Sequence, residues 1–366
     1  MDKSVILSSY IYNLDFIPLE EHPENLLRYA PKILVKDSIM IVRDRVSRSK
    51  YIYFFNQFGK FLYRDNHVPE GYPVDSYSDL DFMDLTLNLD KDVLFFTDVS
   101  LHCIIEYDLK NRKKKVVVQG IDAYNIFYHR NNIYAYTPRS ENGLITIIDA
   151  TDFSIKGEYI REKDSYRGRG SIIANPIAHW RDTVFFGIFF SDSIYYHGNN
   201  GILPYAILGD GPETSVRYIT LEQYENYYFG QNKTDRFPHM PIPWGELSFW
   251  EDVWFLHMVN HKYLLWEPKT GLSILIPFHA IKKTRNLISE AGGLNKILKS
   301  GDYYYSYINL TEEFYSEAMQ LIEEKPDHHL KPVLNAFLAE YPPERNFQNP
   351  VITRFKIRED FMEVFR

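Results

Sequence analysis

The chain is poor in the residues that announce a redox or metal centre. It holds a single cysteine in 366 residues. Cys103 can close no internal disulfide and can join neither a zinc framework nor a thiol-redox pair. It lies in the apolar run from Leu101 to Ile105 and is expected to be a small buried side chain. No segment reaches the roughly 18 consecutive apolar residues of a membrane span. Met1-Asp2-Lys3-Ser4 is not a basic segment leading into an apolar one, so no signal peptide is visible. Positive charge is also in deficit, with 41 Lys and Arg against 49 Asp and Glu and a net charge of −8. Phosphate binding needs clustered cations, so nucleic acid is excluded as the expected partner. The one basic string, Lys110-Asn111-Arg112-Lys113-Lys114-Lys115, sits between two apolar runs and reads as a hairpin tip.

Catalytic signatures are missing as well. There is no nucleophile elbow, no glycine loop to cradle phosphate and no His-Glu-x-x-His zinc helix. His257 and His261 have a spacing that would suit a metal on a helix. They fall on a strand and on the turn beyond it, so a structural role is expected for both. His328-His329, beside Asp327, is expected on a solvated face. The reading assigns no catalytic residue, no metal ligand and no cofactor.

What the chain does contain is aromatic and apolar. Hydrophobic residues make up 45% and aromatics 16%, with 29 Tyr and 25 Phe, a balance that favours strands. One pattern recurs: an Asp or Asn directly before a burst of aliphatic and aromatic residues. It occurs at Asp37, Asp92, Asn132, Asp182, Asp252 and Asp302, at intervals of 55, 40, 50, 70 and 50 residues. Periods near 40 to 50 residues, each with several short strands, are those of propeller blades. Most bursts have a partner strand ending in a polar turn, such as Ile52 to Lys60, Ile104 to Asn111, Ile145 to Asp152 and Leu264 to Gly271. A return strand can follow, as at Lys115-Val116-Val117-Val118. The Asp or Asn before each burst is read as a turn residue.

The expected fold is therefore all-β: a six-bladed β-propeller, one domain over residues 1–366, with a short helical insertion in the last blade. Helical spacing is confined to two stretches, about 280–298 and 311–345. The second opens on Thr311-Glu312-Glu313, a capped start, and Pro326 and Pro332 divide it into two short helices. Because an open propeller leaves unpaired edges, N-terminal strands within Val5 to Val35 are expected to join the blade formed by Asp302 to Tyr307 and Val351 to Phe365.

Phe55-Asn56-Gln57-Phe58-Gly59-Lys60-Phe61-Leu62 resembles the first-blade turn of a family of six-bladed propellers with NHL-like repeats from gram-negative gut bacteria. Ile105-Glu106-Tyr107-Asp108, Tyr124-Asn125-Ile126, Ser193-Ile194-Tyr195-Tyr196 and Asn349-Pro350-Val351 extend the resemblance over residues 30 to 366. Many members are exported lipoproteins without an assigned function, so the resemblance implies export to the periplasm or outer membrane. This chain departs from the family after the first blade, where Val68-Pro69-Glu70-Gly71-Tyr72 replaces a Gly-x-Gly-Pro-x-Glu loop. A similar string, Gly209-Asp210-Gly211-Pro212-Glu213, follows the fourth burst instead.

Ligand-binding candidates come from the longest interval between bursts. Arg236, His239 and Trp244 lie in a segment stiffened by Pro238, Pro241 and Pro243. Trp and His stack on sugars and planar ligands, and propellers bind through loops that enter the inner strands. His179 and Trp180, directly before the strand that opens a blade, form a second candidate. The competing reading is that these aromatics fill gaps between wedge-shaped blades. The expected function is a non-catalytic binding or scaffolding propeller for a glycan, peptide or protein. The alternative is a carbohydrate-active hydrolase or lyase working through carboxylates at the channel mouth, although the Asp-box repeat of sialidase propellers is absent.

Overall fold

A computed structural model describes residues 11–27, 32–43, 51–66, 68–69, 82–88, 90–161, 176–188, 191, 193–208, 243–258, 262–277, 298–325, 327–358 and 361. The first strand is β1 (Ile11–Pro18). Next come β2 (Lys32–Lys36), β3 (Ile39–Arg43), β4 (Tyr51–Asn56) and β5 (Phe61–Asn66), then β6 (Phe82–Asn88), β7 (Val93–Asp98), β8 (Cys103–Asp108) and β9 (Lys113–Gln119). A third set is β10 (Asn125–His129), β11 (Asn132–Tyr136), β12 (Ile145–Asp149) and β13 (Ile155–Tyr159). The fourth is β14 (Ile177–Trp180), β15 (Thr183–Gly187), β16 (Ser193–Gly198) and β17 (Gly201–Ile207). The fifth is β18 (Pro243–Trp250), β19 (Val253–Met258), β20 (Lys262–Glu267) and β21 (Leu272–Pro277). The last strands are β22 (Leu298–Ser300), β23 (Tyr303–Ile308) and β24 (Val351–Ile357), with helices α1 (Glu312–Glu324) and α2 (Lys331–Glu340) between β23 and β24.

These strands form six four-stranded sheets, five in plain sequence order and one in the order β1-β24-β23-β22. Six four-stranded meanders at the spacing of the repeats are the blades of a six-bladed β-propeller. The six bursts are β3, β7, β11, β15, β19 and β23. Each is the second strand of its blade and not the first, because another strand precedes it in every sheet. Those preceding strands are mixed in polarity, as in β6 and β18, so they carry no apolar burst of their own. The second strands are nearly continuously buried, as in β7 and β11. A short unbroken apolar run of this kind is covered on both faces.

The turns between first and second strands hold the recurring Asp residues. Five are two-residue hairpins, such as His129 paired with Asn132 across Arg130-Asn131, and Trp180 paired with Thr183 across Arg181-Asp182. Left-handed backbone is required there, and Asp37, Arg130, Asn131, Arg181, Glu251 and Gly301 have φ between 46° and 59°. Asn132 itself is the first residue of β11; Asn131 takes the turn position. The basic string is a hairpin tip as expected, with Asp108 opposite Lys113.

The chain divides into two compact units, residues 1–66 with 276–366, and residues 67–275. In the second unit, apolar seams lie between successive blades. Phe95, Ile104, Ile133 and Ile148 make one seam, and Tyr134, Ile145, Val184 and Phe186 another. Phe185, Ile194, Trp254 and Leu256 make a third. Each such fully buried side chain contributes about 1.5–3 kcal/mol. Cys103 is fully buried in β8, and burial pushes its thiol up to about 12, with Asp98 adding to the effect.

In the first unit, β1 pairs antiparallel with β24, from Ile11 opposite Ile357 to Pro18 opposite Val351. The N-terminal strand thus completes the last blade, while β2 belongs to the first. Buried Asn349 ties the segment after β1 to the approach of β24. Its side chain accepts from the Leu27 amide at 2.8 Å and donates to the Glu20 carbonyl at 2.9 Å. Gly59 closes the turn of the first-blade motif at φ 81°, where a Cβ would lie 2.1 Å from the Pro18 carbonyl oxygen. Only glycine fits there.

The insertion between β23 and β24 is the helical stretch expected over 311–345. Thr311 caps α1 by accepting from the Phe314 amide at 3.3 Å. Pro332 does not break a helix: it sits in the first turn of α2, where its missing amide hydrogen is not needed. Phe314 and Phe337 pack on Phe16 of β1, the latter stacked at 4.4 Å. Of the expected solvated face, Asp327 and His329 are exposed, while His328 is half-buried. His328 accepts from the Leu330 amide, and His329 donates to the Ile11 carbonyl oxygen. The packing of the insertion on β1 brings both rings there. The stretch about 280–298 lies almost wholly outside the described residues.

Candidate functional site

Two of the candidate residues, His179 and Trp180, are well placed to be judged. They are not ahead of a blade's first strand but within it, at the turn end of β14. In the second unit the first strands of successive blades touch: β10 contacts β6 and β14, and β14 contacts β18. Their hairpin turns therefore gather at one end of this row of inner strands. The chemistry there is set by the turn residues, which the fold brings together from intervals of 50 and 70 positions.

Arg130, in the β10–β11 turn, reaches Asp182 in the β14–β15 turn at 3.0 Å. Arg181, beside it, reaches Asp252 in the β18–β19 turn at 2.6 Å. Lys269 also bonds Asp252 from the β20–β21 turn. The cation of one blade thus meets the carboxylate of the next. Burial pushes the Asp252 carboxyl up, but bonds from Lys269 and Arg181 outweigh it and hold the group below the usual carboxylate range. Asp182 and Asp252 are turn residues, as read from sequence, and interblade ion-pair acceptors too.

Trp180 belongs to the same stitching. Its indole N–H donates to the Glu251 carbonyl oxygen at 2.7 Å. Its ring stacks on Phe249 at 6.1 Å and meets Trp254 edge-on at 5.5 Å, with the Arg181 guanidinium 4.5 Å from its centroid. The ring fills a gap between two blades.

His179 faces the other way along the row. Its ring lies 4.3 Å from that of His129, at the turn end of β10, and 6.0 Å from Phe127. Removal of water and the neighbouring His129 push the His179 imidazole down to about 4. Burial lowers His129 in the same sense. Both rings are thus held neutral near pH 7, with a lone pair on one nitrogen each. His129 Nε2 donates to the Asp182 carbonyl oxygen at 3.3 Å. His129, His179 and Asp182 each offer a ligand atom, all within 4.8 Å of one another. His129 and Arg130 were missed in the sequence because a lone His and a lone Arg at a turn carry no local signal. The neighbouring blade alone gives them partners.

Of the remaining candidates, the backbone of Trp244 is described and is not brought to this place. Trp244 lies at the start of β18, six residues before Trp250. At about 3.3 Å per residue, that puts its backbone roughly 20 Å from the turn end of the same strand. Trp244 and the pair His179 and Trp180 therefore belong to opposite ends of the inner strands. Arg236, His239 and the Gly209 to Glu213 string lie outside the described residues, as does His261. His257 is on β19, opposite Tyr263, as the sequence suggested.

The family DUF5128, described as a 6-bladed beta-propeller, matches residues 1–217. Among solved structures, a protein of Bacteroides fragilis taken to be exported is similar over 97% of both chains, with a TM-score of 0.62 and 14% identity. BamB from Moraxella catarrhalis is similar over 81% of this chain and 72% of that one, with a TM-score of 0.45 and 12% identity. A chain of the nidogen/laminin complex is similar over 66% of this chain and 77% of that one, with a TM-score of 0.40 and 9% identity. No curated protein matches the sequence. No helix among the described residues is long and apolar enough to cross a membrane. With the family matched over more than half of the sequence and six four-stranded blades in place, the chain belongs to the DUF5128 family of six-bladed β-propellers.

Proposed function

We propose that the chain is a non-catalytic binding or scaffolding propeller, a single domain that holds a glycan, peptide or surface-protein ligand at the ends of its inner strands. The observation that carries this is the crosswise pairing of Arg130 with Asp182 and of Arg181 with Asp252. Such pairing makes a stiff platform, and at that rim the bonds from Lys269 and Arg181 hold the Asp252 carboxyl below the usual carboxylate range. The carboxylates with a clear shift, Asp108, Asp149, Asp152 and Asp252, are all lowered by hydrogen bonds and neighbouring cations. A glycosidase acid needs the opposite, a carboxyl held protonated. Among the described residues with a clear shift, no carboxyl is raised as the hydrolase or lyase reading would need.

Ligand contacts are assigned to Arg236, His239 and Trp244 on the approach to β18, and to His179 at the other end of the row. Trp180 shapes that end, its N–H committed to Glu251. Export, with NHL-like repeats and lipoprotein anchoring, is proposed from the family resemblance. It is supported by the exported assignment of the Bacteroides fragilis neighbour. The test is a thermal-shift screen of the purified chain against oligosaccharides and peptides. A binding propeller is expected to melt higher with one class of ligand, to leave that ligand intact, and to lose the shift in Trp244→Ala. Release of a cleaved product would overturn the non-catalytic reading. An unchanged shift in Trp244→Ala would remove the site from the approach to β18.

A further inference from the structure

We infer that His129, His179 and Asp182 form a site for one divalent transition cation of the zinc class, whatever else the propeller binds. The three groups come from two neighbouring blades: His129 ends β10, while His179 and Asp182 flank the β14–β15 turn. Their ligand atoms lie within 4.8 Å of one another. In a tetrahedral site with bonds of about 2.0–2.2 Å, ligand atoms are separated by about 3.4 Å. Closing on an ion thus requires movements of about 1 Å, and His179 and Asp182 are both exposed and able to make them.

The donor set selects the ion. Two imidazoles and one carboxylate suit zinc, nickel or copper, with open positions left for water or a ligand. Calcium and magnesium demand oxygen donors and are poorly served. Both rings sit beside groups that leave them available. His179 has no hydrogen-bond partner among the described residues, and the His129 bond to the Asp182 carbonyl, at 3.3 Å, is long and readily exchanged. Arg130 approaches Asp182 through Oδ1, so the guanidinium competes with the ion for this carboxylate and weakens the site by repulsion. Such an ion would cross-link two blades and offer a Lewis-acidic contact to a ligand at this rim.

The experiment is calorimetric titration of the tag-free full chain with zinc chloride and, separately, calcium chloride, together with His179→Ala, Asp182→Asn and His328→Ala. One zinc per chain is expected, unaffected in His328→Ala and at least tenfold weaker in His179→Ala and in Asp182→Asn, with no heat from calcium. Metal-free melting checks that each variant folds; both replaced residues are exposed, and either variant alone decides the matter. Absence of zinc binding at millimolar concentration would overturn the assignment. So would equal affinity in the chain and in both site variants.

Discussion

Asn349 carries more of the last blade's stability than its size suggests. Only 1% of its surface is exposed. It bonds the Leu27 amide, the Glu20 carbonyl and the Asn25 side chain, all more than 300 positions away in sequence. Asn349→Ala leaves the buried Leu27 amide without its partner, while the Glu20 carbonyl keeps the bond from Asn25, and the change is expected to cost about 2 kcal/mol in urea unfolding. A second residue-scale effect is the His328 imidazole. Burial, with help from His329 and Lys325, pushes it down to about 4 from an ordinary 6.5. The folded chain then binds fewer protons than the unfolded chain between those values. Its contribution to stability is whole above pH 6.5, falls as pH drops toward 4, and levels off below. One imidazole resonance titrating near 4, absent in His328→Gln, is the expected result, with a flatter decline of melting temperature in the variant over the same window.

Among the elements, β1 decides the most. It buries Ile11, Leu14 and Ile17, covers β24, and gives the helical insertion its anchorage through Phe16 and the Ile11 carbonyl. Deleting residues 1–18 leaves β24 as an unpaired edge and strips Phe314 and Phe337 of their stacking partner. The truncated chain is expected to lose its cooperative melt and to bind a hydrophobic dye. A melting temperature lowered by no more than about 3 °C would show that β1 is dispensable. The insertion itself was legible in outline, since Thr311-Glu312-Glu313 announces a capped helix. Its packing was not, because nothing near His328-His329 in sequence signals that β1 lies beside it.

For the whole molecule, the proposal of one domain has a calorimetric consequence. The contact pattern separates residues 67–275 from the remainder. If the 366 residues unfold as one domain, heating gives a single transition whose van't Hoff and calorimetric enthalpies agree. Two resolved transitions would assign the units separate stabilities. The same scale explains why the candidate residues separate. Trp244 opens an inner strand and His179 closes one, so a segment-by-segment reading treats as comparable two places about 20 Å apart.

The blade count, the class of fold and the burst strands were determined by sequence alone, because a strand covered on both faces must be apolar along its length, and that run is local. The turn position of Asp37, Asp182 and Asp252 was equally local, although the left-handed residue of the hairpin is Asp37 in the first case and Arg181 and Glu251 in the others. Only tertiary structure decided that each burst is a blade's second strand, since the first strand is mixed in polarity and identified by its pairing. Only tertiary structure made Trp180 a seam residue and gave Arg130, His129, His179 and Asp182 to one another. Those contacts run between blades, whose separation along the chain is set by loops of varying length. No pattern within a single repeat can record them.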